Sequence, residues 1–139
     1  MRYLLVFLSL AGIVISSMAL RIHYSNALEP CSINEHWDCG IVNHSSYSMI
    51  GPVPVAALGI AGYIAIGILA FLRRRILLSG AAIVGLLFAL HLTSIERNVL
   101  QVWCLYCVIS QGIIALITLL SIAWFIAFEM SKRRTQPAA

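Results

Sequence analysis

The chain has 139 residues, enough for one domain, but 61% of them are hydrophobic, only 10% are charged and the mean hydropathy is +0.96. A water-soluble globule is excluded, and the net charge of +4 comes from cations clustered beside apolar runs, where they act as topology signals rather than as a nucleic-acid surface. Four cysteines fall into two close pairs, Cys31 with Cys39 and Cys104 with Cys107, so redox chemistry and metal binding are weighed before ordinary packing.

The first apolar run, 3–20, spans about 27 Å as a helix and just crosses a hydrocarbon core of roughly 30 Å. A cleaved signal peptide is its competitor, and the loop after it is exported under either reading. From Gly51 to Ile95 the chain is apolar except for Arg73, Arg74 and Arg75, each of which costs about 2.5 to 3.5 kcal/mol at mid-membrane. The arginines therefore sit at a surface and divide the run into a hairpin of two spans, 51–72 and 76–95. A last span, 104–128, ends before Lys132, Arg133 and Arg134.

Seven cations, at positions 2, 73, 74, 75, 132, 133 and 134, fall on one side of these spans, and Arg21 and Arg97 fall on the other. By the positive-inside rule both termini are cytoplasmic, while the loop 22–50 and the short link 96–103 lie outside. The expected fold is an all-α membrane protein, a four-transmembrane-helix bundle forming a single domain over 1–139, with an extracytoplasmic loop that carries a cysteine pair. Small residues recur in the second and third spans, including Gly59, Gly62, Gly80 and Gly85, and read as close helix packing. The tail from Thr135 to Ala139 is expected to be disordered.

Cys104-Leu105-Tyr106-Cys107 stands where the outer link becomes the fourth helix, so both sulfurs share one face and a dithiol can close. A helix N-terminus also favours the thiolate, the form that attacks disulfides and reducible electrophiles. Cys31 and Cys39 lie in a polar loop in which a disulfide closes easily, as a static staple or as a redox pair. Because the second and third spans form a hairpin, positions 39 and 104, 65 apart in sequence, return to one membrane face, where thiol-disulfide exchange between the pairs is possible. Cys31, His36, Cys39 and His44 also admit a Cys2His2 zinc site, which leaves the second pair without a task. Asn43-His44-Ser45 matches a short glycosylation sequon. His91, about one turn inside the outer end of the third span, suits a ligand or a neighbouring helix. Trp37, Trp103 and Tyr106 read as interfacial anchors, and Trp103 and Tyr106 can also wall a ring-shaped ligand beside Cys107.

The loop pair ahead of Asn43-His44-Ser45-Ser46, the Gly51-Pro52-Val53-Pro54 approach to the second span and the C-x-x-C at the fourth together resemble the vitamin K epoxide reductase family, in particular its bacterial homologues. The bacterial disulfide-formation quinone reductases of the B type share the chemistry with the cysteine order reversed. The resemblance implies a thiol:quinone oxidoreductase without a metal, in which Cys107 contacts the quinone, Cys104 exchanges with Cys39, and Cys31 meets a thioredoxin-like protein on the extracytoplasmic side. The family's loop-ordering hydroxyl maps to Ser45, with Ser46 and Ser48 near enough to compete. The position where animal members carry a tyrosine donor to the quinone is Gln111, whose amide can still donate. Some bacterial members carry a fused thioredoxin-like domain; here the sequence stops soon after Arg134, so a separate partner is expected. The quinone can be ubiquinone, menaquinone or vitamin K, and the setting is the bacterial inner membrane. Reduction of vitamin K quinone or epoxide uses the same residues. A non-enzymatic membrane scaffold with a stapled or zinc-bound loop is the reading from another class.

Overall fold

The computed structural model describes residues 1–24, 37 and 39–136, with the backbone alone at 39, 40 and 43. Four long helices, α1 (Arg2–Tyr24), α3 (Val55–Phe71), α4 (Arg75–Ile95) and α5 (Leu105–Thr135), are joined by short elements. The segment between α1 and α3 contains helix α2 (Cys39–His44), a 3-10 turn (Ser46–Ser48) and a minimal hairpin of β1 (Met49–Ile50) and β2 (Val53–Pro54). Among the described residues α1, α4 with its extension to Leu100, and α5 are long and apolar enough to cross a membrane, while α3, at 17 residues, reaches about 26 Å. Phe7, Val84 and Leu119 are each 67% exposed, an arrangement that suits acyl chains and not water.

The sequence places the second span at 51–72, yet its helix begins at Val55. Gly51, at φ +60°, and Pro52 instead form the tip of the β1–β2 hairpin, which pairs Ile50 with Val53 and Met49 with Pro54. Two prolines explain the delay: each lacks an amide hydrogen and each biases the residue before it toward extended backbone. At the other end of α3 the amides of Leu72, Arg73 and Arg74 bond back to Ile68, Ala70 and Leu69, closing a tight reversal with Arg73 at φ 58°. The three arginines therefore lie at the α3–α4 turn, as the cost of burying them requires.

The expected outer link at 96–103 is partly helical. A π-type turn, Glu96–Leu100, prolongs α4 and stops at Gln101, which is left-handed at φ 55°. At its far end α5 runs past the expected 128 to Thr135 and carries Lys132, Arg133 and Arg134 in its last turn, where cations complement the helix dipole. Of the tail expected to be disordered, Thr135 closes this helix and 137–139 lie outside the described residues.

The core nearest the arginine turn is tightly filled: Leu5, Ala70, Leu78, Ala82 and Ile117 are wholly buried. Gly12 makes the α1–α3 contact possible, because a Cβ there collides with the ring of Tyr63. A second, smaller cluster at the opposite end joins Ile22 of α1, Val42 of α2 and Cys104, with Leu100, Val102, Tyr106 and Cys107 around it. Arg75 lies across the rings of Phe128 and Trp124, at 3.8 and 4.8 Å from their centroids, and ties α4 to α5 at the arginine end.

Candidate active site

Cys104 has extended backbone and immediately precedes α5; its carbonyl accepts the amide of Val108 at 3.0 Å, starting the helix. Cys107 therefore sits in the first turn, and its thiol lies within hydrogen-bonding reach of the Cys104 sulfur. Cys104 is wholly buried, whereas Cys107 lines a cavity of about 560 Å³. Helical periodicity aligns Ser110, Gln111 and Ile114 below Cys107 on the same wall.

The remaining walls come from α1, α3, α4 and the segment ahead of α3. Val42, Ser45, Tyr47 and Ser48 cover one end, Gly59, Gly62 and Tyr63 form one side, and Gly80, Gly85, Ala89 and Thr93 form the other. The glycines expected to bring helices together do two jobs. A Cβ on Gly59 or Gly85 meets Ser16 at 3.1 Å or Ile114 at 3.2 Å, which is close packing; a Cβ on Gly62 or Gly80 meets nothing within 4 Å, because these positions face open space.

Polar groups in this apolar chamber are tethered. The Tyr63 hydroxyl donates to the Ser110 carbonyl at 2.8 Å and lies 2.8 Å from the Ser110 hydroxyl. Thr93 is hydrogen-bonded to the Gln111 side-chain carbonyl, which fixes the amide plane. Ser45 donates to the Val42 carbonyl at 2.8 Å and Ser48 donates to the Ser45 carbonyl at 2.7 Å, so the hydroxyls hold the turn after α2 over the chamber. Ser46, the third hydroxyl considered for that task, is exposed. At the chamber's edge Glu96 is only 4% exposed; its carboxylate accepts the backbone amide of Cys104 at 3.3 Å and reaches the Cys107 thiol.

The structure thus brings Cys107, Gln111, Ser45 and Tyr106 around one cavity, with Cys104 behind it. His91 and Trp103 are not among the lining residues. His91 is exposed, because α4 lines the cavity with Phe88, Ala89, Leu92 and Thr93 and position 91 falls off that face. Trp103 forms a bridge with Trp37, their rings 6.4 Å apart, and so ties the loop to the start of α5. Cys31 lies outside the described residues. Cys39 opens α2, three positions before Val42, which packs in one cluster with Cys104. Among the described residues no three His, Cys, Asp or Glu side chains are grouped to hold a metal, and Cys31 and His36 of the zinc alternative lie outside them.

A four-helix membrane bundle with a dithiol against an apolar chamber is the build of an oxidoreductase acting on a membrane-soluble acceptor. The Vitamin K epoxide reductase family profile matches residues 3–122, and the chain belongs to that family, whose members are quinone-reducing thiol oxidoreductases built as four-span bundles. No curated individual protein matches it significantly.

Proposed function

We propose that the chain, acting as one catalytic unit, carries electrons from a separate thioredoxin-like protein through Cys31 and Cys39 to Cys104 and Cys107, and from there to a lipid quinone, so that disulfides form outside the cytoplasm. The observation that carries this reading is the convergence of Cys107, Gln111 and Tyr106 on an apolar chamber at the end of the bundle where the loop folds over. The dithiol supplies two electrons and the quinone accepts two, so the stoichiometry closes without a metal. Gln111, held by Thr93, is the group that meets a quinone oxygen; Ser45 orders the covering turn; Trp103 serves as a brace for the loop. The placement of Val42 against Cys104 supports exchange between Cys39 and Cys104. The distribution of cations supports a bacterial inner-membrane protein with both termini cytoplasmic.

The experiment is a reconstituted assay in which a reduced thioredoxin-like protein is mixed with the chain and the absorbance of ubiquinone, menaquinone or vitamin K epoxide is followed. Turnover of a quinone with loss of partner thiols is expected. Turnover of the epoxide alone moves the reading to vitamin K reduction, and no turnover with any acceptor ends it. Cys39→Ser, with partner present, is expected to trap a covalent adduct at Cys31; an adduct at Cys104 overturns the relay.

A further inference from the structure

Glu96 is a buried carboxylate that no described cation accompanies. Among the described residues it makes no ion pair, the neighbouring Arg97 is exposed, and no Lys or Arg lines the cavity that Glu96 shares with Cys107. The other titratable groups on that cavity are Tyr47, Tyr63, Tyr106 and the Cys107 thiol. Its contacts run to the dithiol: the Cys104 amide donates to it at 3.3 Å, its carboxylate shares the cavity with the Cys107 thiol, and the two lie within hydrogen-bonding reach of each other. The π-type turn that begins at Glu96 holds the carboxyl group at this edge.

We infer that Glu96 is the proton acceptor for Cys107 during quinone reduction, an inference that rests on the dithiol-to-quinone reading above. The carboxylate takes the Cys107 proton, which leaves a thiolate at the cavity. Two electrons then leave the sulfurs as the Cys104–Cys107 bond closes, and the quinone receives them. The quinone also takes two protons, one returned by Glu96 and one from the Cys104 thiol. The dithiol ends as a disulfide, the quinone as a hydroquinone, and Glu96 as the carboxylate that began the cycle.

The test uses the full chain in lipid vesicles with dithiothreitol as donor and a short-chain ubiquinone as acceptor, so that the loop pair is bypassed. Glu96→Gln keeps the shape and still accepts the Cys104 amide but cannot take a proton. It is expected to lower kcat about 100-fold at neutral pH. The quinone KM should move less than about threefold. Its residual rate should climb with rising pH, because thiol self-ionisation replaces the lost base. Glu96→Asp, which keeps the acid at shorter reach, should restore part of the rate and the wild-type pH profile. Wild-type kcat and pH profile in the Gln chain overturn the inference, as does equal loss in both variants with an unchanged profile, which marks a packing role. If the Gln chain melts early, its pH profile is measured below its melting transition and the same criterion applies. Cys107→Ser is the separate control: if it turns over normally, the dithiol reading itself has failed, whatever Glu96 does.

Discussion

The two ends of the bundle use similar residues for opposite purposes. Toward the arginine turn, Leu5, Ala70, Leu78 and Ile117 leave no exposed surface, and midway along the bundle Gly12 admits the Tyr63 ring. Toward the C-x-x-C, Cys107, Gln111 and Ser45 line a chamber instead of a core, and Gly62, midway along α3, meets nothing. A glycine in an apolar span is therefore ambiguous: it draws two helices together or it keeps them apart for something else. The closed end holds the helices in register so that the other end can remain open.

The largest effect expected at the open end is loss of chemistry. Cys104→Ser or Cys107→Ser should abolish quinone reduction with both a protein donor and dithiothreitol, whereas Cys31→Ser or Cys39→Ser should stop only the protein-driven reaction, as measured by quinone absorbance. Full protein-driven turnover without Cys31 reduces the loop pair to a staple. The glycines test the contrast directly. Gly62→Leu should leave the melting temperature close to wild type while raising the quinone KM about tenfold or more, because the added side chain occupies the chamber. Gly12→Ala should instead cost about 1 to 3 kcal/mol in thermal or denaturant melts through collision with the Tyr63 ring. If both substitutions affect stability alike, the open end is not open.

Smaller effects are expected from the tethers. Thr93→Val removes the hydroxyl that fixes Gln111 and should weaken quinone binding by about 1 kcal/mol, roughly fivefold in KM. Ser45→Ala loses the bond to Val42 and should destabilise the covering turn by about 0.5 to 1.5 kcal/mol, read as faster hydrogen exchange at Val42 to Ser48. An unchanged exchange pattern removes Ser45 from the task of ordering that turn.

Much of the architecture is legible in the sequence because the membrane leaves few alternatives. The apolar runs and the triple arginine locate the helices to within a few residues, except at the far end of α5, and the i, i+3 cysteines at a span boundary identify the reactive end. The start of α3 is misplaced when Gly51 to Pro54 is read by hydropathy, because its prolines dictate a hairpin. His91 and Gln111 look alike as polar residues near a span end, and only the helix phase separates the exposed one from the one that lines the chamber. Thr93 and Tyr63 give a weaker signal: a hydroxyl deep in a span must find an acceptor, but sequence does not say which. Glu96 falls in a stretch that reads as a solvated link, since nothing in its neighbours announces a π-type turn.

That turn makes the connection between α4 and α5 an unusual one. Surface connections ordinarily accept insertions and deletions, because their backbone is solvated and their exact length is immaterial. Here the segment after Glu96 sets where the dithiol meets that carboxylate, since the Cys104 amide donates to it at 3.3 Å, and removing any residue of 97–100 shortens that span and shifts the start of α5 against Glu96. Cys104 and Cys107 would then present different atoms to the chamber with their spacing intact. The spacing of the two cysteines is thus only half of the motif; the other half is the length of the segment in front of it.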